Sequence, residues 1–170
     1  MARKCTIAHT KTGRPKSGST KIIEPHIFVL WGDGFDAAVA TTLTMMFRRN
    51  QIATKIIGLQ GRTAIGKNGI QLNADMSLGE AIAMRAKAIA FLLPCSRARL
   101  SQAENDPRLR SFFQDCQTTS TFIMVQDQNV LDQRSLSQLD IPLDHVVIYQ
   151  EWSNLTHLEA SVMRLALGTK

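Results

Sequence analysis

The sequence predicts a doubly wound α/β protein: a three-layer α/β/α sandwich around a mostly parallel sheet. Three observations point there. Short runs apolar at nearly every position, such as Ile27 to Trp31 and Ala88 to Leu93, read as strands covered on both faces. Segments of helical spacing lie between them, several opened by good capping residues. The two kinds alternate along the chain, which implies parallel strands joined by right-handed crossovers.

The first strand, Ile27-Phe28-Val29-Leu30-Trp31, is bounded by Gly32-Asp33-Gly34. Asp36 to Asn50 reads as a helix, because Val39, Leu43, Met46 and Phe47 keep helical spacing and Arg48-Arg49 fall in the last turn, where cations are favoured. Thr54 to Leu59, with β-branched Thr54, Ile56 and Ile57, is a second strand. Gly61 to Gly69 reads as a turn into a short strand, Ile70-Gln71-Leu72. Ser77 and Glu80 have capping-box spacing and start a helix. Ala88 to Leu93 is a buried strand stopped by Pro94, and Asp106-Pro107 opens a helix to about Gln117. Thr121 to Val125 is the next strand, followed by a poorly marked helix near 130–139 and a last strand, Val146 to Tyr149. Ser153 or Asn154 caps a final amphipathic helix through Leu167. Ligands of such sheets gather beyond the carboxyl ends of the strands, here Gly32–Phe35, Pro94–Arg99 and Gln126–Asn129.

The 170 residues suit one domain with a full core. Charge is unevenly spread. The net charge is +6, and Arg3, Lys4, Lys11, Arg14, Lys16 and Lys21 all precede the first acid, Glu24. Beyond them, 14 Lys and Arg balance 14 Asp and Glu. Residues 1–22, rich in Lys, Arg, Thr, Ser and Gly, therefore read as a flexible basic tail on a near-neutral domain spanning 23–170. No stretch nears the roughly 18–20 apolar residues of a membrane span, and the N-terminus has no apolar signal-like run, so the expectation is a soluble, cytoplasmic protein. Cys5, Cys95 and Cys116 are widely spaced, and His9, His26, His145 and His157 stand singly. No metal-ligand spacing occurs, so neither a metal nor a cofactor is expected.

Several segments in order resemble the ThiJ/PfpI family of the class I glutamine amidotransferase-like superfamily, whose fold is flavodoxin-like. They are Phe28-Val29-Leu30-Trp31-Gly32-Asp33-Gly34-Phe35-Asp36, Phe47-Arg48-Arg49-Asn50-Gln51-Ile52, Asn68-Gly69-Ile70-Gln71-Leu72-Asn73-Ala74-Asp75, and Leu92-Leu93-Pro94 followed by Asn105-Asp106-Pro107-Arg108-Leu109. The likeness runs from about residue 26 to 126. It implies a cysteine nucleophile on a sharp turn after a strand, where a helix N-terminus favours thiolate. In this chain Gln126 occupies that position, Asp127 the histidine that often follows, and Gln128 the glycine after it. An amide cannot become a thiolate or form a covalent acyl intermediate. The family's carboxylate on the first helix maps to Val39 by an ungapped count, or to Asp36 after a register slip. Its Gly-Gly after the proline, which would offer donors to an oxyanion, is Cys95-Ser96. The resemblance thus implies a degenerate site and a binding, scaffold or regulatory protein, with a homodimer as the common assembly of the fold.

Other readings stay open beside this one. Cys95 follows a strand end beside Arg97 and Arg99, which would depress its pKa and suit a deglycase-like, hydrolase-like or redox enzyme. The plainer reading is an unreactive thiol at a loop start. Arg97 and Arg99 are candidates to hold an anionic ligand. Cys116, beside Phe112 and Phe113, reads as a small buried hydrophobe, and Cys5 as exposed. Thr12-Gly13-Arg14-Pro15-Lys16 contains the Gly-Arg-Pro core that enters a narrow minor groove, with one flanking arm only. The tail is therefore expected to meet an acidic partner: a protein or larger assembly first, nucleic acid as the alternative.

Overall fold

In a computed structural model of the chain, residues 26–103, 105–117, 121–126 and 146–149 are described. The expectations for residues 1–22, for helices near 130–139 and through Leu167, and for Cys5, Asp127, Gln128, His145 and His157 lie outside them, as does the side chain of Cys116.

The first apolar run becomes β1 (His26–Trp31), with every residue buried. The helix α1 (Ala37–Arg49) follows, capped by Asp36 and ending on Arg48-Arg49. Then come β2 (Ala53–Gly58), the small strands β3 (Thr63–Ile65) and β4 (Gln71–Asn73), and β5 (Met76–Ser77). Ser77 and Glu80 form the expected capping box, but the helix it opens, α2 (Leu78–Ile82), has only five residues. A 3-10 turn, Arg85–Lys87, leads into β6 (Ala88–Leu93), as read from the sequence. Residues 97–103, expected as loop in their first part, form α3 (Arg97–Ala103). They are followed by α4 (Pro107–Gln117), β7 (Phe122–Val125) and β8 (Val146–Ile148).

Among the described residues the main sheet has six strands in the order β5-β2-β1-β6-β7-β8, every pairing parallel. β3 and β4 make a separate antiparallel hairpin. From β1 the chain steps outward through β2 to β5, then returns to β6 on the other side of β1. Right-handed crossovers in opposite directions put α1 on one face of the sheet and α2 and α4 on the other. The core fits that layering: Phe28 of β1, Phe91 of β6 and Phe112 of α4 stack as one ring cluster, with Phe91 and Phe112 edge-on at 5.2 Å.

Candidate functional site

The strand order reverses between β1 and β6, so the crevice expected of a doubly wound sheet opens beyond their carboxyl ends. Two connections line it. The Asp36 amide donates to the Pro94 carbonyl at 2.6 Å, which ties the turn after β1 to the turn after β6. Gly34 has φ 75°, a left-handed conformation that glycine adopts without strain.

The Asp36 carboxylate has three tasks. It accepts from the Ala38 and Val39 amides at 3.0 and 3.2 Å, capping α1, and it pairs with Lys67 at 2.6 Å. Partial burial pushes its pKa up, but the Lys67 bond and the two amides outweigh that and hold it below the ordinary value. Val39, the other candidate for the carboxylate position, is a half-buried apolar residue in the first turn of α1.

The β3–β4 hairpin closes over this corner. Ile65 donates its amide to the Asp33 carboxylate at 2.9 Å and accepts from the Gly34 amide at 2.8 Å. Lys67 donates its amide to the Phe35 carbonyl, and the Trp31 indole N–H donates to the Ala64 carbonyl at 3.3 Å. Gly66 sits so close that a Cβ there would lie 2.9 Å from both the Phe35 carbonyl and the Trp31 ring.

Cys95 and Gln126 lie just beyond the next two strand ends. β6 and β7 run in register with Leu93 opposite Val125, so Pro94-Cys95 and Gln126 leave the sheet side by side. Gln126 is exposed, whereas the Cys95 side chain is buried, only 2% exposed. Ser96 is exposed, and its carbonyl accepts the Arg99 and Leu100 amides at the start of α3. Arg97 and Arg99 are exposed on that helix, and the Arg99 side chain lies against Gly34. The crevice therefore brings together Asp36, Lys67, Cys95, Ser96, Arg99 and Gln126. Its exposed polar groups can bind, whereas the Cys95 side chain is buried.

Tyr149 was missed as part of this corner. Its amide donates to the Val125 carbonyl and its hydroxyl to the Leu93 carbonyl, each at 2.8 Å, and it is 4% exposed. It thus reaches from beside β7 to the end of β6 and braces both strand ends beneath Gln126. The one available signal was a lone tyrosine closing an apolar strand. Asp33 was missed as well: its turn position was clear, its grip on Ile65 was not. Among the described residues no group of three His, Cys, Asp or Glu side chains is gathered to hold a metal, and no helix is long and apolar enough to cross a membrane.

No protein-family model matches the sequence, nor does any curated protein. Solved structures do match. A DJ-1 superfamily protein from Salmonella typhimurium (solved as a cysteine-to-alanine mutant) is 16% identical, with a TM-score of 0.62 over 85% of this chain and 91% of that one. The oxidized DJ-1 of Toxoplasma gondii is 8% identical, with a TM-score of 0.65 over 83% and 90%. Drosophila melanogaster DJ-1beta is 16% identical, with a TM-score of 0.54 over 64% of this chain and 59% of its own. The class defined by sheet and crevice is a doubly wound α/β sandwich. Within that class the chain has the DJ-1/ThiJ/PfpI fold, so the resemblance carried by its ordered segments holds at the level of fold.

Proposed function

We propose that this is a non-catalytic protein of DJ-1/ThiJ/PfpI fold that acts by binding, with its basic tail docking on an acidic partner. One observation carries the reading: Gln126, an amide, leaves β7 where the resemblance places a cysteine nucleophile, while the neighbouring thiol of Cys95 is 2% exposed. The amide can donate and accept hydrogen bonds but cannot attack a carbonyl and hold it covalently. Asp36, one of the acids at the crevice, is engaged by Lys67 and two helix amides, which favours its charged form and opposes service as a proton acceptor. Exposed Arg97 and Arg99 suit recognition of an anionic group at the crevice mouth.

The test is turnover of methylglyoxal and of aldehyde adducts by the pure protein, paired with alkylation of its thiols. The expected result is no turnover, and slow alkylation of Cys95 in a Cys5→Ser/Cys116→Ser background until denaturant is added. Turnover that disappears in Cys95→Ser, with rapid native alkylation of Cys95, overturns the proposal in favour of an enzyme built on that thiol.

A further inference from the structure

We propose that the outer edge of β4 seats a second copy of this chain. Two β4 strands pair antiparallel about a two-fold axis at Leu72, which joins two two-stranded hairpins into a four-stranded sheet. Pairing of this kind is independent of whether the crevice catalyses or only binds.

The hydrogen bonds of the hairpin fix which of its main-chain groups face outward. The Gly66 amide donates to the Ile70 carbonyl at 2.8 Å and the Ala74 amide to the Arg62 carbonyl at 2.6 Å, on either side of the Ala64–Leu72 pair. Bonded and non-bonded pairs alternate along an antiparallel ladder. Residues 62, 64 and 66 thus face 74, 72 and 70, while residues 63, 65, 71 and 73 turn their N–H and C=O groups outward. On the β3 side the outward groups of Ile65 are taken by the Asp33 carboxylate and the Gly34 amide, at 2.9 and 2.8 Å. On the β4 side the main-chain groups of Gln71 and Asn73 have no partner among the described residues, and both residues are exposed. Native sheets guard an open edge with charge, proline or a bulge. The segment from Asn68 to Ala74 has neither charge nor proline.

The spacing of the open groups selects the occupant. Two outward residues flank one inward residue, so a two-fold axis at Leu72 sets Gln71 opposite Asn73 of the second copy, and Asn73 opposite its Gln71. Every open N–H and C=O on both strands is then bonded. The side chains agree with this pairing. On the face shared by Ala64 and Leu72, Leu72 meets its own copy, and Ile70 lies opposite Ala74 and beside Leu72 of the second copy. Ile70 is 50% exposed and Leu72 half-buried, and the pairing covers both. No like charges are brought together, because residues 70–74 carry none. The larger sheet also stabilises its parts, since a lone two-stranded hairpin is marginal and three or more strands are not. The paired edge is short, so the affinity expected is about micromolar.

The experiment is sedimentation velocity of the full chain between about 1 and 200 µM, a span that brackets a contact of this size. The expected species at the upper end is a dimer, twice the 18.9 kDa mass of the chain. Gln71→Pro deletes an outward N–H and leaves the ladder to β3 intact, and it should raise the dimer dissociation constant at least about tenfold. Ile70→Lys sets a charge against apolar Leu72 in each half and should raise it at least about a hundredfold. Ile65→Lys alters an equally exposed side chain (53%) on the opposite face of the same hairpin and should leave it within about twofold. Crosslinking reads the register. In a Cys5→Ser/Cys95→Ser/Cys116→Ser background with diamide as oxidant, Leu72→Cys should form a disulfide-linked dimer and Gln71→Cys should not. Directly opposed non-hydrogen-bonded Cα atoms lie about 4.5 Å apart and diagonal ones about 7–8 Å, beyond disulfide reach. A monomer at the highest concentration overturns the proposal, whether the edge is open or covered by something else. So does a dimer that either Gln71→Pro or Ile70→Lys leaves intact, an equal loss from Ile65→Lys, or a disulfide formed by Gln71→Cys in preference to Leu72→Cys.

Discussion

Gly34→Ala tests the geometry of the crevice at its tightest point. Gly34 has φ 75°, and a Cβ built on it would lie 2.5 Å from Arg99 Nε and 2.7 Å from Cζ. Two costs are thus introduced together. The left-handed backbone costs an alanine about 1–2 kcal/mol whatever surrounds it. The clash is with the far part of an exposed, flexible side chain that donates to the Gln102 amide oxygen at 3.2 Å, so moving it costs only about 0.5 kcal/mol. For a chain of 170 residues a loss of 1 kcal/mol lowers Tm by about 3 °C, and the expected drop is about 4–7 °C. Thermal melts of the four proteins in a Gly34→Ala/Arg99→Ala cycle separate the parts. In the Arg99→Ala background Gly34→Ala should still cost about 1–2 kcal/mol, the backbone share. A cost that vanishes there makes the turn's conformation dispensable, and no cost in either background refutes the left-handed turn itself.

Three further predictions concern the same frame. Among the described residues the Thr44 hydroxyl is buried without a hydrogen-bond partner on α1, so Thr44→Val should raise stability by about 1 kcal/mol in a denaturant melt; a loss of stability would mean that the hydroxyl is bonded. Tyr149→Phe removes the bond to the Leu93 carbonyl and leaves that acceptor buried, which should cost about 1–2 kcal/mol, and an unchanged Tm would remove Tyr149 as a brace. Asp36, Asp106 and Glu80 all titrate below their ordinary values in the fold. For Glu80 the Arg62 bond and then the Ser77 amide and hydroxyl take the pKa from 4.5 to about 2. A lowered folded-state pKa means stability that is whole above the unfolded value and lost as pH falls through the folded one, so Tm should decline between pH 4.5 and about 2. Asp36→Asn keeps a good cap but removes the charge, and it should flatten the upper part of that decline; an unaltered profile would sever Asp36 from acid stability.

The fold was legible where one physical signal dominated. Strands apolar on both faces, as at His26–Trp31 and Ala88–Leu93, need no tertiary context to be recognised, and Asp36, Ser77 and Asp106-Pro107 mark helix starts through backbone amides that only a local acceptor can satisfy. The missed elements lack such signals. β3 and β5 have three and two residues, the two outer side chains of β3 are exposed, and each exists through its partner, β4 or β2. α3 buries Leu100 alone and carries no apolar stripe. The site was legible in its parts and not in their assembly. Pro94, Cys95 and Gln126 could be placed at strand ends from spacing, but the burial of Cys95 and the reach of Tyr149 to Leu93 are long-range facts of packing.

That assembly also bears on what the carboxyl end of the sheet can do. At the carboxyl end the groups that doubly wound folds usually leave for a ligand are engaged within the chain. The Gly34, Phe35 and Asp36 amides go to Ile65, Gly32 and Pro94, the Asp36 carboxylate to α1 and Lys67, and Asp33 to the Ile65 amide. Such a corner is rigid, and rigidity serves recognition at its rim by Arg97, Arg99 and Gln126 better than it serves a reaction that must displace a buried thiol.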